Sequence, residues 1–588
     1  MIALPATAPV FAQQPDRQQP SPAEQVFQQI DSAYKNGALT LDSALREKFR
    51  VVFEPEKASR TFMPENGVQA RCLTSLFSEF EKKKDRLSPE VARELNAYRQ
   101  ANCSRPETEF SHVSQSGNFR IHYDTSGPHA VPSESRPGSN VPVFVERTAF
   151  AADSSWKHLT DRLGFADPLI TSVLEPYNIH YRDFSFYGVT CSDGLSSFMV
   201  LNNNFEGFPE NDHPEGNRRG ALYATTAHEY KHASQYATNR WDGPPEEDTE
   251  AWIEMDAVMI EDIIFPDVND YFHYIKTALR SDIPDLLSIF GSPEIPPPVA
   301  YSHATWMLYF AEKYGMPFWV DVWDRFRLQP AKAFTEAIRE SLYQYDDESG
   351  DTAFEQNHIE NLAWHLSSGP VLSGFDFGFI KRDDYPHARF NLNVTTLPDS
   401  TASDETLRPL GGHFIQVSPA AGTFGNPRIT VRHEREGIGV GIIGYFHDGS
   451  VEYTQVTGRD RLTEIQTDWL WEDLEKMGVV VVNVDEESTN SYSFRIESVS
   501  PEEIALFQNY PNPFTSSTHI RFAVDTEQRV RLEIYDILGR RVAGLADRQY
   551  ARGFHDVSFE AEGLASGVYI YRLTAGRRVL SKKMMFIK

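Results

Sequence analysis

The chain has 588 residues, too many for one hydrophobic core, so several domains are expected, each able to bury its own interior. Acidic residues outnumber basic ones by 84 to 56, for a formal charge of -28, and because phosphate contacts need clustered Lys and Arg this balance argues against nucleic acid as a partner. No apolar run approaches the roughly 18 to 20 residues of a membrane span, so no transmembrane segment is expected.

Residues 1–22 read as a remnant signal peptide and a polar linker. Met1 to Gln14 is MIALPATAPVFAQQ, a short apolar stretch with a cut expected after Ala12, followed by a Pro/Gln-rich run to Pro22. Residues 23–112 form a helical N-terminal region, with helical segments from Ala23 to about Gln100. The three cysteines, Cys72, Cys103 and Cys191, are too few for a disulfide scaffold and lack the close pairing of a zinc knuckle. In an oxidising compartment the expected bridge is Cys72 to Cys103, with Cys191 free and buried.

A globular domain spans residues 113–382. Phe119, Ile121 and Tyr123 alternate with polar neighbours as a half-buried strand would, and Val143 to Leu163 reads as an amphipathic helix. Ser197 to Leu201 (SFMVL) is a short strand leading into a polar loop, whose acidic part Asn211 to Asn217 is a candidate calcium loop without a recognisable coordination spacing.

The next helix carries the most informative run, Thr225 to Tyr236, TTAHEYKHASQY. His228 and His232 are four apart, which puts both imidazoles on one helix face within reach of one zinc ion. Glu229 projects beside that face, where a carboxylate can take the proton of a zinc-bound water. The motif arises by chance often enough that context must support it; Ala221 to Ala237 holds no Gly or Pro and reads as helix throughout.

A catalytic zinc needs a third protein ligand and one open position. The helix that follows, from an acidic first turn at Glu246 to Glu250 as far as Pro266, offers Glu250, Glu254 and Glu261 near one face. Spacing does not choose among them, although the small Ala257 one turn beyond Glu254 favours close helix approach there. Pro245 to Gly369 is a helical lobe, in which His358 and His365 read as packing or surface residues. From 383 to 500 the period falls to two, with strands expected near Phe414 to Val417, Ile429 to Arg432, Gly439 to Tyr445, Val479 to Val484 and Tyr492 to Ile496, an antiparallel sandwich. A last β-rich domain fills 507–588. The fold class is multidomain α+β.

H-E-x-x-H followed by a helical glutamate resembles the gluzincins, the thermolysin-like zincins, and is most similar to a group of secreted bacterial metallopeptidases. The likeness runs from about Phe119 to Gly315. It rests on FRIHYDTSGPHAVP, SSFMVLNNNFEGFP, ATTAHEYKHASQYA, WIEMDAVMIEDIIFPDVNDYFHY and YSHATWMLYFAEKYG. It implies a thermolysin-like catalytic domain, zinc on His228, His232 and Glu254, and Glu229 as general base. The third ligand of that group lies in an E-x-x-A pattern, and this chain has Glu-Met-Asp-Ala where Glu-Ala-Thr-Ala is usual. The resemblance further implies that Ser197 to Leu201 is the edge strand that receives substrate backbone, and that Tyr301 or His303 donates to the oxyanion.

The C-terminal domain resembles the type A sorting domain of the type IX (Por) secretion system, through FQNYPNPF, IYDILGRRV, GLASGVYIYRL and the terminal KKMMFIK. This implies export across both membranes, the type IX machinery as a partner, and removal of the tail at the cell surface. A peptidase so exported needs restraint, so residues 23–112 are a candidate pro-segment; Cys72 offering a thiolate to zinc is one route, a disulfide with Cys103 the plainer fate. The expected function is a secreted zinc endopeptidase acting on proteins or peptides. The rivals are a cell-surface adhesive or binding protein with a non-catalytic metal site, served by the 383–500 sandwich, and a hydrolase of non-peptide amides or esters.

Overall fold

The computed structural model describes residues 21–588 except 65–66, 171–174, 193–194, 239–250, 273, 276–302, 347–349, 370–376, 386–387, 389, 401–404, 419–422 and 459. The expected signal remnant up to residue 20, Glu250 and Tyr301 lie outside the described residues. The described residues form two compact units, the first ending at Tyr345 and the second running from Asp346 to Lys588.

In the first unit, helices α1 (Ala23–Lys35), α2 (Leu41–Phe53), α3 (Thr74–Lys83) and α4 (Pro89–Asn102) precede the sheet. Local chemistry sets their starts: the Thr40 side chain caps α2 by accepting from the Ser43 amide at 3.2 Å, and Pro89 opens α4 after Ser88. Phe49, Leu73, Phe77 and Leu95 share one hydrophobic cluster with Val189, Phe198 and Val200 of the sheet, so the N-terminal helices and the sheet have a common core. The disulfide joins Cys103 to Cys191, with Cα atoms 5.6 Å apart, and leaves Cys72 free and buried. This corrects the expected Cys72 to Cys103 pairing: sequence proximity does not decide a bridge, and the end of α4 comes to rest beside the strand that carries Cys191.

The sheet has five strands in the order β1 (Phe110–Val113), β2 (Phe119–Tyr123), β3 (Tyr177–Arg182), β5 (Ser197–Asn202) and β4 (Gly188–Ser192). The pairs β2–β3 and β3–β5 are parallel, while β1 and β4 run antiparallel to their neighbours at the two edges. Ser197 to Leu201 is therefore an interior strand, against the expectation of an edge. All its residues are buried, and a continuous apolar run is what a strand covered on both faces requires. The edge is β4, whose sequence GVTCS carries little strand signal. Strand β1 was also not expected; it is mostly exposed and shows no alternation. Helix α5 (Val143–Trp156) continues as a π-helical stretch to Leu163 and packs on α6 (Asn217–Tyr236), which lies against β4 and β5. Helix α7 (Ala251–Ile264) packs on α6 and on α8 (Ala304–Tyr314), and α9 (Met316–Leu328) and α10 (Phe334–Tyr345) complete the lobe around Trp252, Trp306 and Phe334.

In the second unit α11 (Gly350–Leu366) packs on the sandwich strands. Its Ile359, Leu362 and Leu366 meet Phe414, Val480 and Val482. Gly439 and Gly478 make this possible, since a Cβ at either would stand 2.2 Å from Ile359 or 2.8 Å from Leu366. The strands near 412–417, 426–433, 438–446, 474–483 and 490–499 match the expected ones, and they form two sheets around Ile429, Val440, Ile442, Val479 and Phe494. Two further strands, Val451–Thr457 and Leu462–Gln466, are partly exposed and carried too little periodicity to be expected.

Residues from Ala505 onward form a three-stranded and a four-stranded antiparallel sheet over a core that includes Ile520, Phe522, Val530, Leu532 and Tyr571. The separated C-terminal motifs meet here: the Asn509 amide donates to the Tyr571 hydroxyl at 2.9 Å, and the Phe514 amide to the Met585 carbonyl at 3.0 Å. No helix among the described residues is long and apolar enough to cross a membrane.

Candidate metal centre

Helix α6 is buried from Gly220 to Gln235 although it carries His, Glu, Lys, Gln and Thr side chains. Such a helix is stable only where its polar groups find partners, and α7 and β4 supply them. His228 Nε2 and His232 Nε2 are 3.0 Å apart, and Glu254 Oε2 on α7 stands 3.1 Å from the first and 3.5 Å from the second. The other nitrogen of each ring is held: His228 Nδ1 by Glu261 at 2.8 Å and His232 Nδ1 by Gln235 Oε1 at 2.7 Å. Gln235 is fixed in turn, donating to Asp256 Oδ2 at 2.8 Å and to the Ile253 carbonyl at 3.1 Å.

These outer contacts decide the tautomers. With Nδ1–H donated outward, each neutral ring turns an Nε2 lone pair toward the other and toward a carboxylate oxygen. Three acceptors converging in a buried space need a cation among them, and two imidazoles with one carboxylate, each backed by a second hydrogen bond, are a donor set suited to zinc. Without one, the cluster is relieved by protonation: burial alone would lower His228, yet Glu254 and Glu261 outweigh it and push the ring up to about 9. Burial likewise opposes the charge on Glu254, but the two imidazoles hold it below the usual carboxylate range.

Cys72 joins this group. Its sulfur, the two ring nitrogens and a Glu254 oxygen all lie within 4.8 Å of one another, and it is the one such cluster among the described residues. Burial, reinforced by Glu229 and Glu254, pushes the metal-free thiol well up. The candidate calcium loop shows no comparable convergence: Asn211 donates to the Asn217 carbonyl at 2.8 Å and its Oδ1 accepts from the His213 amide at 3.2 Å, so the loop turns its amides on itself.

Of the three open carboxylates, Glu254 faces the ring nitrogens and Glu261 backs His228, while Glu250 lies outside the described residues. Glu229 is fully buried, its Oε2 accepting from Thr190 Oγ1 at 2.7 Å and Thr74 Oγ1 at 3.3 Å, and its Oε1 has no hydrogen-bond partner among the described residues. Gly188 on β4 lets the strand approach, since a Cβ there would stand 3.1 Å from the Glu229 side chain. His303, just before α8, is buried, with burial pushing it down to about 3 and neither ring nitrogen bonded among the described residues; the structure does not bring it into the cluster.

Sequence reasoning missed several participants, Asp256 and Arg71 among them. Asp256 accounts for the departure from Glu-Ala-Thr-Ala: it pairs at 3.2 Å with Lys231, which is buried over the Phe165 and Trp323 rings, and it anchors Gln235. Arg71 forms an ion pair with Glu261 and lies 2.8 Å from Asp270. No spacing rule signals Arg71, which precedes its partner by 190 positions.

Residues 508–588 match the secretion system C-terminal sorting domain. The tail marks the chain for secretion or the cell surface and for contact with the secretion machinery. Compared with the curated proteins, the chain matches none. Among solved structures it is similar to a β-glucuronidase of Faecalibacterium prausnitzii, at 10% identity over 30% of this chain and 37% of that one, with a TM-score of 0.11. A β-1,2-glucanase from Parabacteroides distasonis is similar at 10% identity over 30% and 31%, TM-score 0.12. Dimeric latent PorU from Porphyromonas gingivalis is similar at 14% over 34% and 19%, TM-score 0.13. The chain thus spans well under half of each.

Proposed function

We propose that the first unit is a zinc-dependent peptidase of the gluzincin type with a thermolysin-like catalytic domain, acting on exported or environmental proteins. The observation that carries this reading is the convergence of His228, His232 and Glu254 beside Glu229, a carboxylate that a purely structural metal site does not need. Zinc, when bound, supplies Lewis-acid polarisation of the scissile carbonyl and acidifies the attacking water. Glu261 and Gln235 keep the imidazoles aimed. Glu229, steadied on one oxygen by Thr190, has its other oxygen available to take the proton of the water and pass it to the leaving amine. The outer edge of β4, along which Arg71 to Thr74 lies, is where an extended peptide would add as a further strand once that segment leaves it. The resemblance leaves Tyr301 or His303 as the candidate donor to the developing oxyanion, though His303 stands outside the cluster of ring nitrogens and Glu254.

Because the Cys72 sulfur stands among the ligands, the test takes the full-length Cys72→Ser chain as parent. Zinc content and cleavage of a peptide library are compared with the same chain carrying Glu229→Gln. The expected result is one zinc per chain in both and a loss of turnover of about 10²- to 10⁴-fold in the second. Equal turnover in the two, with zinc bound, would leave a binding protein with a non-catalytic metal.

A further inference from the structure

The site carries a feature that catalysis does not use. The segment Arg71 to Thr74 is buried along its whole length, with 3, 2, 0 and 0% exposure from Arg71 to Thr74. It follows the outer edge of β4 as an added strand would: the Tyr187 amide donates to the Arg71 carbonyl at 3.0 Å, Cys72 forms a parallel bridge with Gly188, and the Thr190 amide donates to Thr74 Oγ1 at 2.9 Å. An unpaired strand edge is a template for incoming backbone, and here that template is already taken by the chain itself.

Side chains on this segment reach inward at three points. Arg71 fills a buried pocket made by Glu261, Asp270 and the rings of Tyr187 and Tyr274, which lie 5.3 and 4.8 Å from its guanidinium carbon. Thr74 reaches the Glu229 carboxylate. Between them Cys72 places its sulfur with the metal-ligating group. A tetrahedral ion held by two imidazoles and a carboxylate has one position left, and a thiolate is a strong ligand for it. We propose that Cys72, its proton released on metal uptake, is the fourth ligand, and that the Arg71–Thr74 strap closes the metal site to water and substrate. The chain as written is then a latent form, and displacing the strap opens both the coordination position and the edge of β4. As regulation of a peptidase this rests on the function proposed above; as closure of a metal site it does not.

The full chain and its Cys72→Ser and Cys72→Ala variants are loaded with cobalt(II) in place of zinc, and the spectrum is read before and after adding acetohydroxamate, a small chelator that needs an open position. In the unaltered chain one bound cobalt should show a thiolate-to-cobalt charge-transfer band and a ligand-field spectrum that acetohydroxamate leaves alone. Both variants should bind cobalt without the band and respond to the chelator. Peptide turnover should rise about tenfold or more from the unaltered chain to either variant. Bound cobalt with no such band, or an unaltered chain that takes acetohydroxamate as readily as the variants, would overturn closure by Cys72. The band and the protection without peptide turnover in any form would leave closure standing and remove the peptidase reading. Failure of every form to bind cobalt would remove both.

Discussion

The interior around α6 and α7 and the interior of the 383–500 sandwich are equally buried and made of opposite materials. Around the metal centre, Glu229, Lys231, His232 and Asp256 are all fully buried. Between the two sheets of the sandwich the fully buried residues include Ile429, Val440, Ile442, Val479 and Ile496. A core of branched hydrocarbons stabilises by burial and tolerates changes of shape. A core of charges opposes folding unless each group is paired, and is retained where the charges have work to do.

That contrast can be broken most severely at Asp256. Asp256→Ala leaves Lys231 buried beneath two aromatic rings without its carboxylate, and the first unit should lose about 3–5 kcal/mol of unfolding free energy, measured by denaturant titration. The next effect lies in the second unit. His358, which bonds to the Leu410 carbonyl at 3.0 Å, is lowered by burial to about 4. The unfolded chain takes up that proton first, so stability is full above the ordinary histidine value and is lost as pH falls from about 6.5 toward 4, by roughly 3 kcal/mol. His358→Gln should flatten this loss in the melting of the second unit; an unchanged pH profile would show that other groups govern it.

A smaller change sharpens the difference in kind. Gln235→Leu removes the partner of His232 Nδ1 without touching a ligand, so metal affinity should fall about 10- to 100-fold by competition with a chelator, with little change in secondary structure. The smallest is Ile442→Val, which removes one methylene between the sheets and should cost about 0.5–1.5 kcal/mol with no effect on metal binding.

Much of this was legible in the chain. The His228 and His232 pair, Glu229 between them and Glu254 on the next helix follow from a four-residue spacing and a resemblance, because one α-helix fixes what its own face presents. The strands that line the sandwich were legible because a half-buried strand writes its burial into every second residue. The sorting domain was legible because its motifs lie in short contiguous runs.

Contacts between residues distant in sequence were settled only by tertiary structure. Cys103 met Cys191 and not Cys72, β4 and not β5 became the edge, α11 packed with the sandwich, and Arg71 found Glu261. Local periodicity reports how a segment is shared between solvent and interior and carries no information on which other segment covers it. For that reason the sequence by itself placed His228 and His232 on one helix face and left the choice among Glu250, Glu254 and Glu261 to a resemblance, while the arrival of Cys72 beside them was decided by the packing of the N-terminal helices against the sheet.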